Sequence, residues 1–186
     1  MKILSLFGYN SDLQIQLDQM RPKLYRLAYS WCHNPALAED LVQETLIKAL
    51  KNNAQLRDPT VLKSWLYSIL ANCLRDHYRQ YREMVDIDDI EDFHYVQETT
   101  PEDEHSQSQI VIHVRKAVAK LPAGQRQVLT LVDLEELSYI EVAAVLEIPI
   151  GTVMSRLCRA RIAMKSLLRE LAPNNTAQTN QLRSVK

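Results

Sequence analysis

The sequence predicts an all-α protein: two helical domains joined by an acidic, flexible linker, the second domain containing a helix-turn-helix. Three observations lead there. Of 186 residues only three are glycine and 6% are aromatic, against 46% apolar residues in all. Such a composition suits packed helices better than the turn-rich strands of a sandwich or barrel. Apolar residues recur at helical spacing through two long blocks. Finally, a net charge of −1 hides an uneven distribution. Residues 1–82 carry eleven Lys/Arg and seven Asp/Glu, residues 83–114 carry ten acids and no Lys or Arg, and residues 115–186 carry eleven bases and six acids. Two mildly basic blocks therefore flank a strongly acidic one. The expected division is a first domain over 1–83, a linker over 84–109, a second domain over 110–171 and a disordered tail over 172–186.

Within the first block, Leu24, Leu27, Ala28 and Trp31 form one apolar stripe, ended by Asn34-Pro35. Leu37, Leu41, Thr45, Ile47 and Leu50 line the next helix. Asn52 to Pro59 reads as a loop, because asparagine, aspartate and proline favour turns. A longer helix follows from about Thr60 to Arg82, with Leu62, Trp65, Leu66, Ile69, Leu70, Cys73 and Leu74 on its apolar side and Arg75, Arg79 and Arg82 on its polar side. The acidic stretch beyond it holds Pro101 and has no sustained period, which marks a tether that reaches up to about 80 Å when extended. Its carboxylates are expected to compete with any polyanionic partner for the two basic blocks. Helices resume over Ile110–Lys120 and from Pro122 to about Glu136. Ser138 and Glu141 have capping-box spacing and open a third helix. Glu147 to Ile150 interrupts it, and Gly151-Thr152 starts a long last helix ending near Ala172-Pro173.

Cys32, Cys73 and Cys158 are scattered and unpaired in pattern, which fits a reducing compartment better than a disulfide framework. Cys73 and His77 share a helix face at i,i+4, either as metal ligands or as a buried thiol beside an exposed imidazole. With no second pair, no metal or cofactor site is expected. The N-terminus lacks a signal-peptide pattern, and no apolar run reaches membrane-spanning length. A cytoplasmic protein without membrane insertion is expected. The chain contains no Gly-rich phosphate loop, and no enzymatic activity is expected.

The helix pair Ser138–Leu146 and Thr152–Leu168, separated by a four-residue turn, has helix-turn-helix dimensions. Val142, Ala143 and Leu146 face inward on the first, Ile148 sits in the turn, and Val153 and Leu157 face inward on the second. Outward lie Thr152, Ser155, Arg156 and Arg159, with Met154 and Cys158 further round. Arginines grip guanine edges or phosphates, and hydroxyls reach either. The same pattern also fits a solvated amphipathic helix, a repressor or activator binding a palindrome as a dimer, or a protein-interaction adaptor.

LPAGQRQVLTLVDLEE followed by LSYIEVAAVLEIPIGTVMSRLCRARIAMKSLL resembles the promoter-reading C-terminal domain of extracytoplasmic-function (ECF) sigma factors of the sigma-70 family. NPALAEDLVQETLIKAL and SWLYSILANCLRDHYRQ resemble that family's N-terminal domain, in the matching order. The resemblance implies a sigma subunit that binds the RNA polymerase core, through the β′ coiled coil and the β subunit, and opens promoter DNA. It implies polymerase docking by Asp40, Gln43 and Glu44. It implies minus-ten contacts by Asn52, Asn53 and Arg57 of the loop, by Trp65 as stacking platform or plain core, and by Asn72, Arg75 and Arg79. It implies minus-thirty-five contacts by Thr152, Met154, Ser155, Arg156, Cys158, Arg159 and Arg161. An anti-sigma partner, often membrane-anchored, is implied as well. Two positions depart from the family pattern. Glu147 stands where many relatives have glycine, so an altered turn is expected. Met154 stands where a basic residue is common, which removes a cation from the upstream end of the reading helix.

Overall fold

The chain was analysed as a computed structural model, which describes residues 11–56, 58–84 and 109–171. Most of the expected linker, the expected tail and Arg57 lie outside these residues. The first domain has three helices. α1 spans Ser11–Cys32 and ends where His33 turns left-handed, φ 51°, its N–H donating to the Tyr29 carbonyl at 2.8 Å. The next helix begins at once because Asn34 caps it. Its side chain accepts the Leu37 N–H at 3.0 Å, and Pro35, which has no N–H to satisfy, takes the first helical position of α2, Pro35–Lys51. The expected loop is two short 3-10 turns, Asn53–Gln55 and Pro59–Val61, the latter capped by Asp58 through the Thr60 N–H at 2.9 Å. α3 spans Leu62–Met84.

In the second domain α4 covers Gln109–Ala119 and α5 covers Ala123–Leu129. The expected α-helix to Glu136 changes hand-hold partway: Thr130–Leu134 is a π-helix, closed by the Glu135 N–H on the Thr130 carbonyl at 3.0 Å. Glu136 then turns left-handed, φ 57°, and the Leu137 N–H reaches back to the Leu131 carbonyl. α6 covers Tyr139–Leu146, and α7 runs from Ile150 to Leu171, starting one residue before the expected Gly151. The turn between them is three residues long.

Leu24, Leu27, Ala28 and Trp31 are all buried, as the stripe predicts, and so are Leu66, Leu70, Cys73 and Leu74. Two readings of the periodicity fail. Ile47 is 51% exposed, because it lies on the α2 face that carries Asp40, Gln43 and Glu44. Tyr67 is fully buried, although it belongs to none of the predicted apolar positions.

Tyr67 is buried because the domains pack on each other. α3 lies on α6, and α1 lies on α4 and α5, so buried side chains of both domains make one continuous core. Polar ties cross this seam. The Trp31 indole donates to the Thr130 hydroxyl at 2.8 Å, and Arg126, anchored in its own domain on the Leu121 carbonyl at 2.9 Å, donates across to the Trp31 carbonyl at 2.8 Å. The Tyr67 hydroxyl donates to the Glu135 carboxylate, which also pairs with Lys63 at 3.2 Å. Burial first, and the Glu135 carboxylate second, hold the Tyr67 phenol well above its ordinary pKa, so it stays a donor.

His33 sits beside this seam with its Nε2 buried and unpaired. Burial, reinforced by the Arg126 charge, pushes its pKa down to about 4. Above the unfolded value of about 6.5 the imidazole is neutral in both states. Below it the unfolded chain takes up the proton and the folded one does not, so this site lowers stability as pH falls from about 6.5 to about 4. His33→Asn, which tolerates the left-handed backbone, is expected to flatten that part of the pH profile of the thermal midpoint.

Candidate nucleic-acid and polymerase interfaces

The helix-turn-helix is fixed by local hydrogen bonds at both ends of α6. Ser138 accepts the Glu141 N–H at 3.3 Å, and the Glu141 carboxylate accepts the Ser138 N–H at 2.8 Å and its hydroxyl at 2.7 Å. Those bonds, from side chain and backbone of Ser138, hold the Glu141 pKa below the ordinary carboxylate range. At the other end Glu147 adopts the left-handed conformation, φ 55° and ψ 45°. The Ile148 N–H bonds the Ala143 carbonyl at 3.1 Å and the Glu147 N–H the Ala144 carbonyl at 3.4 Å, the double bond of a Schellman motif. The expectation of an altered turn is therefore corrected. The chain keeps the geometry and accepts about 1–2 kcal/mol for a non-glycine residue there.

Val142, Val145 and Leu146 of α6 and Val153, Leu157 and Ala160 of α7 are buried, and Ala143 is partly so. At 100° per residue this leaves Ser155, Cys158, Arg159 and Ile162 along the outer face of α7, all exposed. Met154, 54% exposed, stands at one border of that face, and Thr152 and Arg156, both half-buried, near the other. The Arg159 Nε donates to the Ser155 carbonyl at 3.2 Å, which lays the guanidinium along the helix. Arg156 leans across the first turn of α5. Gly124 leaves room for it, since a Cβ there would lie 2.9 Å from an Arg156 guanidinium nitrogen. Arg161 is set apart from these. It points to the other flank and is engaged by Asp133 at 2.6 Å within its own domain.

In the first domain, Asn72, Arg75 and Arg79 fall on one face of α3, at i, i+3 and i+7. Arg79 pairs with Asp76 at 3.1 Å in its own helix. Arg75 and Asn72 instead reach across the seam. Arg75 donates to the Glu147 carboxylate at 2.9 Å and to the Leu146 carbonyl at 3.1 Å, and the Asn72 amide donates to Glu147 at 3.4 Å. Asn52 caps α2, its side-chain amide donating to the Lys48 carbonyl at 2.9 Å, and Asn53 opens the first 3-10 turn. Trp65 is half-buried against the core, between its two expected environments. Asp40, Gln43 and Glu44 are exposed on α2, where Glu44 pairs with Lys48 at 2.8 Å. Ile47 completes this stripe, an apolar centre in a polar face that periodicity alone had assigned to the core. Cys73 is buried while His77 is exposed and packs edge-on to Tyr78, so the two sit in separate environments. No helix among the described residues is long and apolar enough to cross a membrane.

Two helical domains, one presenting a basic reading helix after a capped turn, define a DNA-binding factor. Comparison with known proteins makes the class specific. Residues 17–83 match sigma-70 region 2 and residues 113–164 match sigma-70 region 4. The chain is 35% identical over 147 residues to the ECF RNA polymerase sigma factor EcfG of Rhodopseudomonas palustris, covering 79% of this chain and 80% of that protein. It is 30% identical over 164 residues to the ECF RNA polymerase sigma factor SigW of Bacillus subtilis, covering 83% and 88%. Among solved structures, the sigma factor RpoE in complex with the anti-sigma factor NepR from Bartonella quintana superimposes with a TM-score of 0.74 at 31% identity, over 86% of this chain and 98% of that one. CnrH in complex with the cytosolic domain of CnrY gives 0.57 at 26% identity, over 84% and 90%. The chain belongs to the ECF sigma factors of the sigma-70 family.

Because the capping box is local, its contribution is separable. Ser138→Ala is expected to lower unfolding free energy by about 0.5–2 kcal/mol in chemical denaturation at neutral pH. The stabilisation carried by Glu141 is present above the ordinary carboxylate pKa and disappears as pH falls through its depressed folded value. The gap between variant and parent should therefore narrow in acid.

Proposed function

We propose that this sigma factor binds core RNA polymerase through α2, reads duplex promoter DNA with α7, and captures the melted minus-ten strand on α3. The observation that carries the reading is the presence of both family domains, in order, each with a donor-rich helix face. On α2, Asp40, Gln43 and Glu44 surround the exposed Ile47, an arrangement suited to a basic partner with an apolar contact at its centre, such as the β′ coiled coil. The second domain would engage the β subunit and the minus-thirty-five duplex. Each basic face alone binds DNA weakly at physiological salt. Held at a fixed spacing by polymerase, the two combine through effective concentration.

No catalytic residue is needed for this role. Strand opening is driven by binding the unstacked strand, and the factor works as a cytoplasmic, non-enzymatic subunit. The RpoE structure holds an anti-sigma factor, which supports regulation of this chain by such a partner. Ser155, Arg156 and Arg159 are the side chains best placed to contact the duplex. Cys158 lies on the same outer face, Thr152 and Met154 border it, and Arg161, held by Asp133, contributes more to the domain than to DNA.

Purified chain mixed with bacterial core polymerase is expected to yield specific transcripts from promoters selected by that holoenzyme. Failure to bind core would sink the assignment. Arg159→Ala is expected to weaken minus-thirty-five binding by about 1–3 kcal/mol in a holoenzyme–promoter titration. Asp40→Ala with Gln43→Ala should weaken core binding without changing the thermal midpoint. Met154→Lys is expected to strengthen binding or shift base preference at the upstream end of the minus-thirty-five element; an unchanged promoter profile would exclude a role for this position.

A further inference from the structure

Glu147 occupies the corner of the helix-turn-helix in a backbone conformation that favours glycine, yet its carboxylate is the busiest acceptor of the seam's upper end. It takes one hydrogen bond from Arg75 at 2.9 Å and one from Asn72 at 3.4 Å, while the neighbouring Leu146 carbonyl takes a second from Arg75 at 3.1 Å. A carboxylate and a carbonyl side by side offer an arginine what a nucleic-acid strand offers it: an anionic oxygen and a polar acceptor. The Oδ1 of Asn72 is buried and without a hydrogen-bond partner, so this face is not fully satisfied by its present cover. The outer face of α7 is different. Ser155, Cys158 and Arg159 remain exposed with the domains packed together.

We propose that the turn of the helix-turn-helix acts as a built-in stand-in for promoter strand, with Glu147 holding Arg75 and Asn72 so that the free factor is shut for single-stranded DNA while its duplex-reading face stays open. This rests on the reading that α3 receives the minus-ten strand. The arrangement is asymmetric, and it orders events. Duplex contact is possible from the closed form, whereas strand capture requires the second domain to lift away from α3. The Arg75–Glu147 pair is about half exposed on both sides, with side-chain exposures of 50% and 58%. Such a pair biases an equilibrium only several-fold, as a device that polymerase must release should.

The test uses the full chain without polymerase. Affinity is measured for two probes, a fluorescent twelve-nucleotide single strand and a duplex of the same length, at low salt. Glu147→Gln is expected to raise single-strand affinity about three- to tenfold and leave duplex affinity unchanged. Glu147→Gly, which also removes the left-handed strain, is expected to do the same with a higher thermal midpoint, so a folding defect cannot imitate the result. A spin label on the exposed native Cys158 and another on Glu39→Cys should report a larger share of long separations in both variants. The charge swap Arg75→Glu with Glu147→Arg should restore the short one, whereas Arg75→Glu alone should not. Unchanged single-strand affinity overturns the proposal. So does an equal gain for single strand and duplex, which would mean plain charge repulsion of DNA by Glu147. If the separations shift as stated but the holoenzyme starts no specific transcript, the promoter-binding role fails and the latch stands.

Discussion

A buried indole N–H must find an acceptor, and for Trp31 that acceptor is in the other domain. Its bond to the Thr130 hydroxyl ties the end of α1 to the point where α5 gives way to the π-helix. The Thr130 hydroxyl in turn donates a hydrogen bond back to the Arg126 or Gln127 carbonyl, and Arg126 donates to the Trp31 carbonyl, so the contact closes on itself. Breaking one member leaves a desolvated donor or acceptor at a cost of about 1–3 kcal/mol. The two halves of the molecule are thus matched by hydrogen-bond inventory as well as by shape. The wider π-turn lets the chain present Glu135 towards Tyr67 and Lys63 before it turns into α6.

Charge is divided across the seam in one dominant direction. Lys63, Tyr67, Asn72 and Arg75 of α3 donate, and Glu135, Leu146 and Glu147 of the second domain accept. Arg126 is the exception, donating in the opposite sense near the buried centre. A helix face rich in donors is what a polyanion requires, and it is also what a cluster of helix-ending carbonyls and acids satisfies. The donors of α3 are thus covered by acceptors carried on the same chain.

The parts that were legible in the sequence are the local ones. Ser138 and Glu141 lie three residues apart, and their mutual bonds depend on nothing beyond that turn. Val142, Val153 and Leu157 were readable from period alone, and Asn34-Pro35 was readable as the end of the first helix. The seam was not readable. Trp31 and Thr130 are separated by 99 positions, Arg75 and Glu147 by 72, and Tyr67 and Glu135 by 68. No spacing rule links such pairs, and the acidic segment between the domains argued for separation. Tyr67 escaped because a tyrosine outside the apolar stripe reads as a border residue until a second domain covers it. Ile47 misled in the opposite direction, since hydrophobicity alone does not tell a buried core position from an exposed apolar one. Arg161 could not be told apart from Ser155, Arg156 and Arg159 in the sequence, because basic character says nothing about which flank a side chain takes. Asp133, placed by the π-helix, decides that.

Two acidic residues in glycine-like conformations, Glu136 and Glu147, bracket the eight residues of α6. Beyond the second of these corners α7 extends 22 residues, about 33 Å at helical rise. Where α4 and α5 do not hold it, such a length magnifies any change at its start. A change of about 10° at the corner would sweep the far end by roughly 6 Å, close to two base-pair steps. The direction in which α7 leaves the turn is thus tied to the backbone dihedral angles of two glutamates as well as to its packing on α4 and α5.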